Sequence, residues 1–509
     1  MSSAWQSHPI VYQINTLVWL NTLSTRFNQP IQLGNVPNEV IEELASYHAD
    51  CVWLMGIWYR GVFGRNSALN YMHEYRGALP DVTPDDIAGS AYAIGGYKID
   101  RSLGGKRGLE TFRKQLAQHG IKLLLDFVPN HVGRDHPWVS EKPDYFMRGT
   151  PELLQRDKDN FFAAEDKKGN PLVIALGRDP NFSGWIDTAQ LNVFSPNLRS
   201  AVIDTLTEIA TMCDGVRCDM AMLMTDKVFT RTWGWLGVKP LAQPYWIQVI
   251  GAIKAKYPNF MFMAEVYWDM EFQMLQEGFD YTYDKTLYDR ALKRDMEGVY
   301  GHLRAELAFL KRNIRFIENH DEPRAATTFG IDRSKVFAAL ISTIPGAVLL
   351  HDGQFIGRRI KLPVQIMRQP IEAEHPGLMA FYMNLMDEAS ADIYQHGEWT
   401  LFPRKHAHNG HGHPNILAYA WIHGQDMRLI VLNMSDHRSQ AVIDMSSCRT
   451  VMEHRALNAT DVFSKYSIEW DGDELLNAGL KVDVAPYFVG IYHVKLSKKK
   501  QPRLESIFA

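Results

Sequence analysis

Cysteine is scarce: four residues, Cys51, Cys213, Cys218 and Cys448, are scattered through the chain, and none belongs to a CxxC pair or a zinc-type set. This excludes a disulfide framework and a cysteine-held metal, and predicts reduced, buried thiols. No apolar run reaches the roughly eighteen residues that a membrane-spanning helix needs. The start, MSSAWQSHPIVYQIN, has no basic stretch leading into a long apolar one, so a soluble, unexported, cytoplasmic protein is expected. Excess charge of either sign is missing too. A formal net charge of −4 creates no long-range field for nucleic acid or an anionic membrane, so neither is an expected partner. The basic stretch KLSKKKQPR near the C-terminus reads as a solvated tail. Neither a GxGxxG string nor a P-loop is present to hold a nucleotide, and no fixed-period repeat or low-complexity linker occurs.

What is present is a globular composition, with 46% hydrophobic and 22% charged residues, on a chain of 509 residues that is too long for one ordinary core. Two or three domains are expected. Eight short apolar runs recur in the first four hundred residues: Ile10 to Asn15, Cys51 to Gly56, Ile121 to Val128, Asp214 to Met220, Phe260 to Tyr267, Phe279 to Asp284, Ile314 to Asp321 and Ala347 to Gly353. Amphipathic segments such as GLETFRKQLAQHG and NLRSAVIDTLTEIATM lie between them. Alternating buried strands and helices imply a parallel sheet covered by helices, and eight repeats match a (β/α)8 TIM barrel; a doubly wound sheet is the alternative. The long polar interval at 134–196 reads as a subdomain inserted after strand 3. The barrel then occupies 1–133 and 197–395. From 396 to 509 polar and apolar residues alternate between turns, as in a C-terminal antiparallel β-sandwich.

A barrel gathers the carboxyl ends of its strands around one mouth, so reactive groups at those ends carry the functional signal. The third run ends in DFVPNH (Asp126, Asn130, His131), the fourth in Arg217 and Asp219, the fifth in Glu265, and the seventh in NHDEPR (His320, Asp321, Arg324). Each has a structural explanation when taken alone. Arg217 and Asp219, two apart on a strand, face the same way and form a buried pair; Glu265 or NHDEPR starts a helix. Three carboxylates in one pocket are nevertheless costly, because repulsion and desolvation both oppose their ionisation. Glycoside cleavage needs such a set, with one carboxylate as nucleophile and a second carboxyl as acid and then base.

These four segments, DFVPNH, GVRCDMA, AEVYW and NHDEPR, taken in this order, resemble the motifs of glycoside hydrolase family 13, the α-amylase family. The resemblance extends over nearly the whole chain. It implies Asp219 as nucleophile, Glu265 as general acid/base and Asp321 as the third carboxylate, which holds sugar hydroxyls and stabilises the transition state. Arg217 would keep Asp219 ionised by lowering its pKa, and Asp126 would support the site from beneath. His131, His320 and Arg324 would face the substrate. SAYAIGGYKIDRSLGG looks like the family segment whose tyrosine stacks under the sugar, with Tyr92 the candidate and Tyr97 a packing alternative. Asn130 matches a residue that binds structural calcium in many members; no catalytic cofactor is implied.

Three departures from the family pattern stand out. Gly96 replaces a common aspartate, Met222 and Leu223 replace a lysine–histidine pair on the leaving-group side, and Phe355 stands where an acidic residue is frequent. The expected function is a retaining α-glycosidase for short α-glucosides or malto-oligosaccharides. A transglycosidase or sugar phosphorylase is the alternative. A non-catalytic carbohydrate-binding protein is less favoured, because all three carboxylates are present.

Overall fold

A computed structural model of the chain describes residues 4–407 and 412–498, so the last part of the basic tail lies outside the described residues. Eight parallel strands close a barrel: β1 (Ile10–Asn15), β2 (Cys51–Met55), β3 (Lys122–Phe127), β4 (Gly215–Cys218), β5 (Met261–Ala264), β6 (Tyr281–Tyr283), β7 (Asn313–Arg315) and β8 (Ala347–His351). Seven fall within the apolar runs and β7 begins one residue before its run, at Asn313, while β8 returns to pair with β1. The strands read as continuous apolar runs because helices cover the barrel's outside while side chains fill its inside.

The helices obey the 3.6-residue period. In Gly105–Gln118, Leu109, Phe112 and Leu116 share the buried face, and the chain turns at Gly120 with φ +75° before entering β3. Helix Pro196–Met212 leads into β4. Its start is fixed by Ser195, whose hydroxyl accepts the Leu198 N–H at 3.3 Å, and by Pro196 in the first turn. Close packing of β4 on β5 needs a glycine: a Cβ on Gly215 would lie 2.7 Å from both the Cβ and the carbonyl oxygen of Met261.

Two excursions rise above the carboxyl ends of the strands. Between β3 and β4, His131–Gly133 pairs antiparallel with Thr188–Gln190, and a hairpin joins Phe161–Glu165 to Pro171–Ala175. Between β2 and β3, Trp58–Arg60 pairs with Ile94–Ile99, and Ala68, Tyr75, Leu79, Val82, Ile87 and Ile366 form a small separate core. The sequence pattern did not reveal this second excursion, since its strands are short and its helices carry no strong apolar stripe.

The C-terminal part is all antiparallel, with a six-stranded sheet facing a three-stranded one. Period-two alternation explains how it sits. Along Ile416–His423, Ile416, Ala418 and Ala420 pack into the core between the two sheets, while Leu417, Tyr419 and Trp421 pack into the barrel core. Trp421 Nε1 donates to the carbonyl of Thr343 at 2.6 Å, tying the sheet to the helix before β8.

Gly215→Ala should cost about 1–3 kcal/mol through overpacking between β4 and β5. Calorimetry should show a lowered Tm; an unchanged Tm would mean that the two strands can part without penalty.

Candidate active site

The site is built on Arg217. Its side chain enters the barrel from β4, is 0% exposed, and lies among three aromatic rings, Trp53, Tyr92 and Tyr283, at 5.3, 5.4 and 5.7 Å from the guanidinium carbon. Four carboxylates surround it. Nη1 donates to Asp219 Oδ1 at 2.8 Å and lies 3.8 Å from Asp126 Oδ1. Nη2 lies 2.8 Å from Glu265 Oε2 and 3.7 Å from Asp321 Oδ2.

Backbone bonds past the strand ends fix where these groups point. The Asp219 N–H donates to the Phe127 carbonyl at 2.9 Å, the Glu265 N–H to that of Cys218 at 3.0 Å, and the Ala221 N–H to that of Glu265 at 2.9 Å. Asp219 and Glu265 are thereby held side by side at the ends of β4 and β5. Asp321 is set by an Asx turn, in which Asn319 Oδ1 accepts the N–H groups of Asp321 and Glu322 at 2.8 and 2.9 Å. The Met220 N–H donates to Glu265 Oε2 at 2.6 Å, and at Met220 the chain turns through a left-handed conformation, φ 42°.

His320 links the third carboxylate to the rest of the site. Gln13 Nε2 of β1 meets His320 Nδ1 at 2.6 Å, which leaves His320 Nε2 for the remaining contacts. That nitrogen meets the Tyr92 hydroxyl at 2.6 Å and Asp321 Oδ2 at 2.9 Å. The Tyr92 ring stacks on His320, with centroids 5.5 Å apart. Tyr97 instead packs on Phe127 and bonds the backbone at Val128. Tyr92, His131, Trp185, Asp219, Glu265, Tyr267 and Asp321 line one cleft of about 330 Å³. It adjoins a hollow of about 440 Å³, with Trp185, Asp187 and Gln365 common to both.

Electrostatics divide the carboxylates. Burial pushes Asp219 well above the usual range and the Glu265 charge adds to it, against the pull of Arg217. Arg217 pulls the Asp219 pKa down as expected, by charge and by hydrogen bond, but burial and the Glu265 charge together outweigh it. Burial also pushes Asp321 up, yet the charge and hydrogen bond of His320, with Arg217, hold it below its ordinary value. Asp126 is pushed up to about 6, chiefly by burial. It lies beneath Arg217 and accepts the Gly56 N–H at 3.1 Å. Burial lowers His131 to about 3, making it a neutral hydrogen-bonding group at the cleft wall, tilted against Trp185 with centroids 5.0 Å apart.

Arg324 does not line the cleft. Its Nη1 is bound by Glu318 Oε1 at 2.7 Å, His351 Nδ1 at 2.9 Å and the Asp352 carbonyl at 2.8 Å. The buried Glu318 charge claims the guanidinium, so Arg324 braces β7 against β8. Met222 and Leu223 are buried and do not line the cleft, and Phe355 stacks on Tyr382 at 4.6 Å as a packing aromatic. Gln13, Trp185 and Tyr267 join the site without having been singled out from sequence: no local spacing connects Gln13 or Trp185 to the four motifs, whereas Tyr267 stands within AEVYW, two residues past Glu265, and that spacing could have found it.

Asn130 does not fit calcium. Its side-chain and backbone oxygens both accept from Gln190 Nε2 at 2.9 Å, and the Leu191 carbonyl lies 3.1 Å from the same nitrogen. An amide nitrogen therefore stands at the focus of three oxygens, where a cation would have to sit. Among the described residues no group of three or more His, Cys, Asp or Glu is arranged to hold a metal ion.

The barrel, its acidic mouth and the antiparallel C-terminal sheets together define a class, the TIM-barrel proteins whose strand ends converge on a carboxylate-lined cleft. Within that class, a family model for the alpha amylase catalytic domain matches residues 84–489, and the chain belongs to the α-amylase family. It is 27% identical over 296 residues to the alpha-amylase MalA of Haloarcula japonica, a match covering 55% of this chain and 38% of that protein. It is 25% identical over 300 residues to alpha-amylase 3 of Dictyoglomus thermophilum, covering 54% and 55%. Both matches span less than two thirds of the relative's length. The fold is similar to that of a noncanonic maltogenic alpha-amylase, AmyB, from Thermotoga neapolitana, with a TM-score of 0.70 at 21% identity, covering 96% of this chain and 99% of the other.

A chelator should leave the Tm unchanged in calorimetry. A fall of several degrees that calcium reverses would show that the Gln190 amide gives way to the ion.

Proposed function

We propose that this protein is a retaining α-glycosidase that cleaves short α-glucosides or malto-oligosaccharides through a covalent glycosyl–Asp219 intermediate. The observation that carries this reading is the grouping of Asp219, Glu265 and Asp321 around one buried guanidinium at a cleft wall. Asp219, fixed by Arg217, attacks the anomeric carbon. A carboxyl proton on Glu265 passes to the glycosidic oxygen as the bond to the leaving sugar breaks. Glu265, now a carboxylate, takes a proton from water as that water attacks C1 and frees Asp219.

Charge bookkeeping leaves one proton on the Asp219–Glu265 pair. With all three carboxylates ionised, a single guanidinium leaves a net negative cluster, and a proton retained within the Asp219–Glu265 pair relieves it. Asp321, held ionised by His320 and Arg217, supplies the fixed negative charge that favours an oxocarbenium-like transition state. Tyr92 offers its ring, and neutral His131 its hydrogen bonds, to the sugar. The cleft lies at the small end of the roughly 300–1,000 Å³ usual for ligand pockets, which suits one or two sugar rings. The neighbouring hollow beyond Trp185 leaves room for a few more.

Asp219→Asn should lower kcat on maltose by a factor on the order of 10⁴ or more with the fold retained by circular dichroism, since a nucleophile acts as part of a unit. NMR should show the α-anomer as first product. Full activity in the variant would remove Asp219 from its role. A parent inactive on maltose, maltotriose, isomaltose, sucrose, trehalose and glycogen would favour a binding protein. Products that depend on added phosphate or a sugar acceptor would identify phosphorolysis or transfer.

A further inference from the structure

The two oxygens of Glu265 have different surroundings. Oε2 faces Arg217 Nη2 at 2.8 Å and accepts the Met220 N–H at 2.6 Å. Oε1 meets the hydroxyl of Tyr267 at 2.7 Å. A proton on Oε2 would point into a cation and an N–H group, so a protonated Glu265 carries its hydrogen on Oε1. Tyr267 therefore holds the oxygen from which any proton must leave.

The local chain is built to keep it there. Tyr267 lies two residues beyond Glu265, past the end of β5, so both side chains leave the strand on the same side and reach one cleft. Immediately after it, Trp268 and Asp269 have φ of 64° and 57°, two consecutive non-glycine residues in the left-handed region. Such a conformation costs on the order of 1–3 kcal/mol per residue and persists where the surroundings impose it. It turns the backbone away directly after the tyrosine. Burial and the neighbouring charges of Glu265 and Asp321 push the Tyr267 phenol well above its usual value, so the hydroxyl keeps its own hydrogen throughout.

We infer that Tyr267 is a positioning residue for proton donation: its hydroxyl fixes Glu265 Oε1 toward the leaving-group oxygen and donates to the carboxylate that forms there. This rests on the reading of Glu265 as general acid. In that step the C1–O bond breaks, its electron pair stays on the leaving oxygen, the Oε1 proton is captured there, and a bond forms between C1 and Asp219. The new charge on Glu265 is then met by Arg217, the Met220 N–H and the Tyr267 hydroxyl. The phenol proton is never transferred.

The test compares kcat/KM, which reports the step that forms the glycosyl intermediate, on maltose and on α-glucosyl fluoride, whose leaving group needs little protonation. In Tyr267→Phe the ratio of maltose to fluoride activity should fall about 10- to 100-fold, the cost of losing a hydrogen bond to a charged group. Maltose KM should stay near that of the parent. Glu265→Gln, measured alongside, should lower the same ratio by about 10²–10⁴-fold. An unchanged ratio in Tyr267→Phe, with or without a common loss on both substrates, would overturn the positioning role. An unchanged ratio in Glu265→Gln would overturn the acid assignment itself, whatever Tyr267 does.

Discussion

A guanidinium sealed inside a barrel is the constraint from which the rest follows. Removing Arg217 from water costs several kcal/mol unless its charge is matched nearby, and the matching groups here are the carboxylates at the ends of β3, β4, β5 and β7. The dependence is mutual. Those carboxylates would repel one another and shed their charge without the cation between them. The eight strands bring the groups into register, and the three aromatic rings around the guanidinium keep water from screening the arrangement.

The lower part of this design was legible in the sequence. Near-continuous apolar runs read as strands buried on both faces, and eight of them alternating with amphipathic helices matched a barrel, with a doubly wound sheet as the alternative. The motif residues were legible because chemistry and topology coincide: a charge at the end of a buried strand has nowhere to go except the mouth. Asp219, Glu265 and Asp321 meet there, and His131, Tyr92 and His320 line or support the same cleft.

What sequence could not supply were contacts made across long separations. Gln13 orients His320 from 307 residues away, and nothing about an isolated glutamine in an apolar run announces that. Arg324 looked like a substrate contact because it ends a motif, yet Glu318, six residues earlier, captures it. The Met220 N–H is a donor to Glu265 that carries no sequence signal, since any residue has one and only the folded turn beyond β4 aims it there. Asn130 was misleading for a related reason: whether its oxygen meets a cation or the Gln190 amide depends on a residue 60 positions further along the chain. The sign of the Asp219 shift also depended on how deeply the folded barrel buries that group, which spacing alone does not encode.

The strand Ile416–His423 gives Ile416, Ala418 and Ala420 to one core and Leu417, Tyr419 and Trp421 to another. The C-terminal sheet is therefore a shared wall, and the barrel has no finished surface behind it. Cutting the chain near residue 395 would bare the greasy flank that Leu417, Tyr419 and Trp421 now cover, and would cut the helix before β8 loose from the Trp421 indole that anchors it. Anyone wishing to trim, fuse or transplant this barrel should treat it and its wall as one indivisible building block.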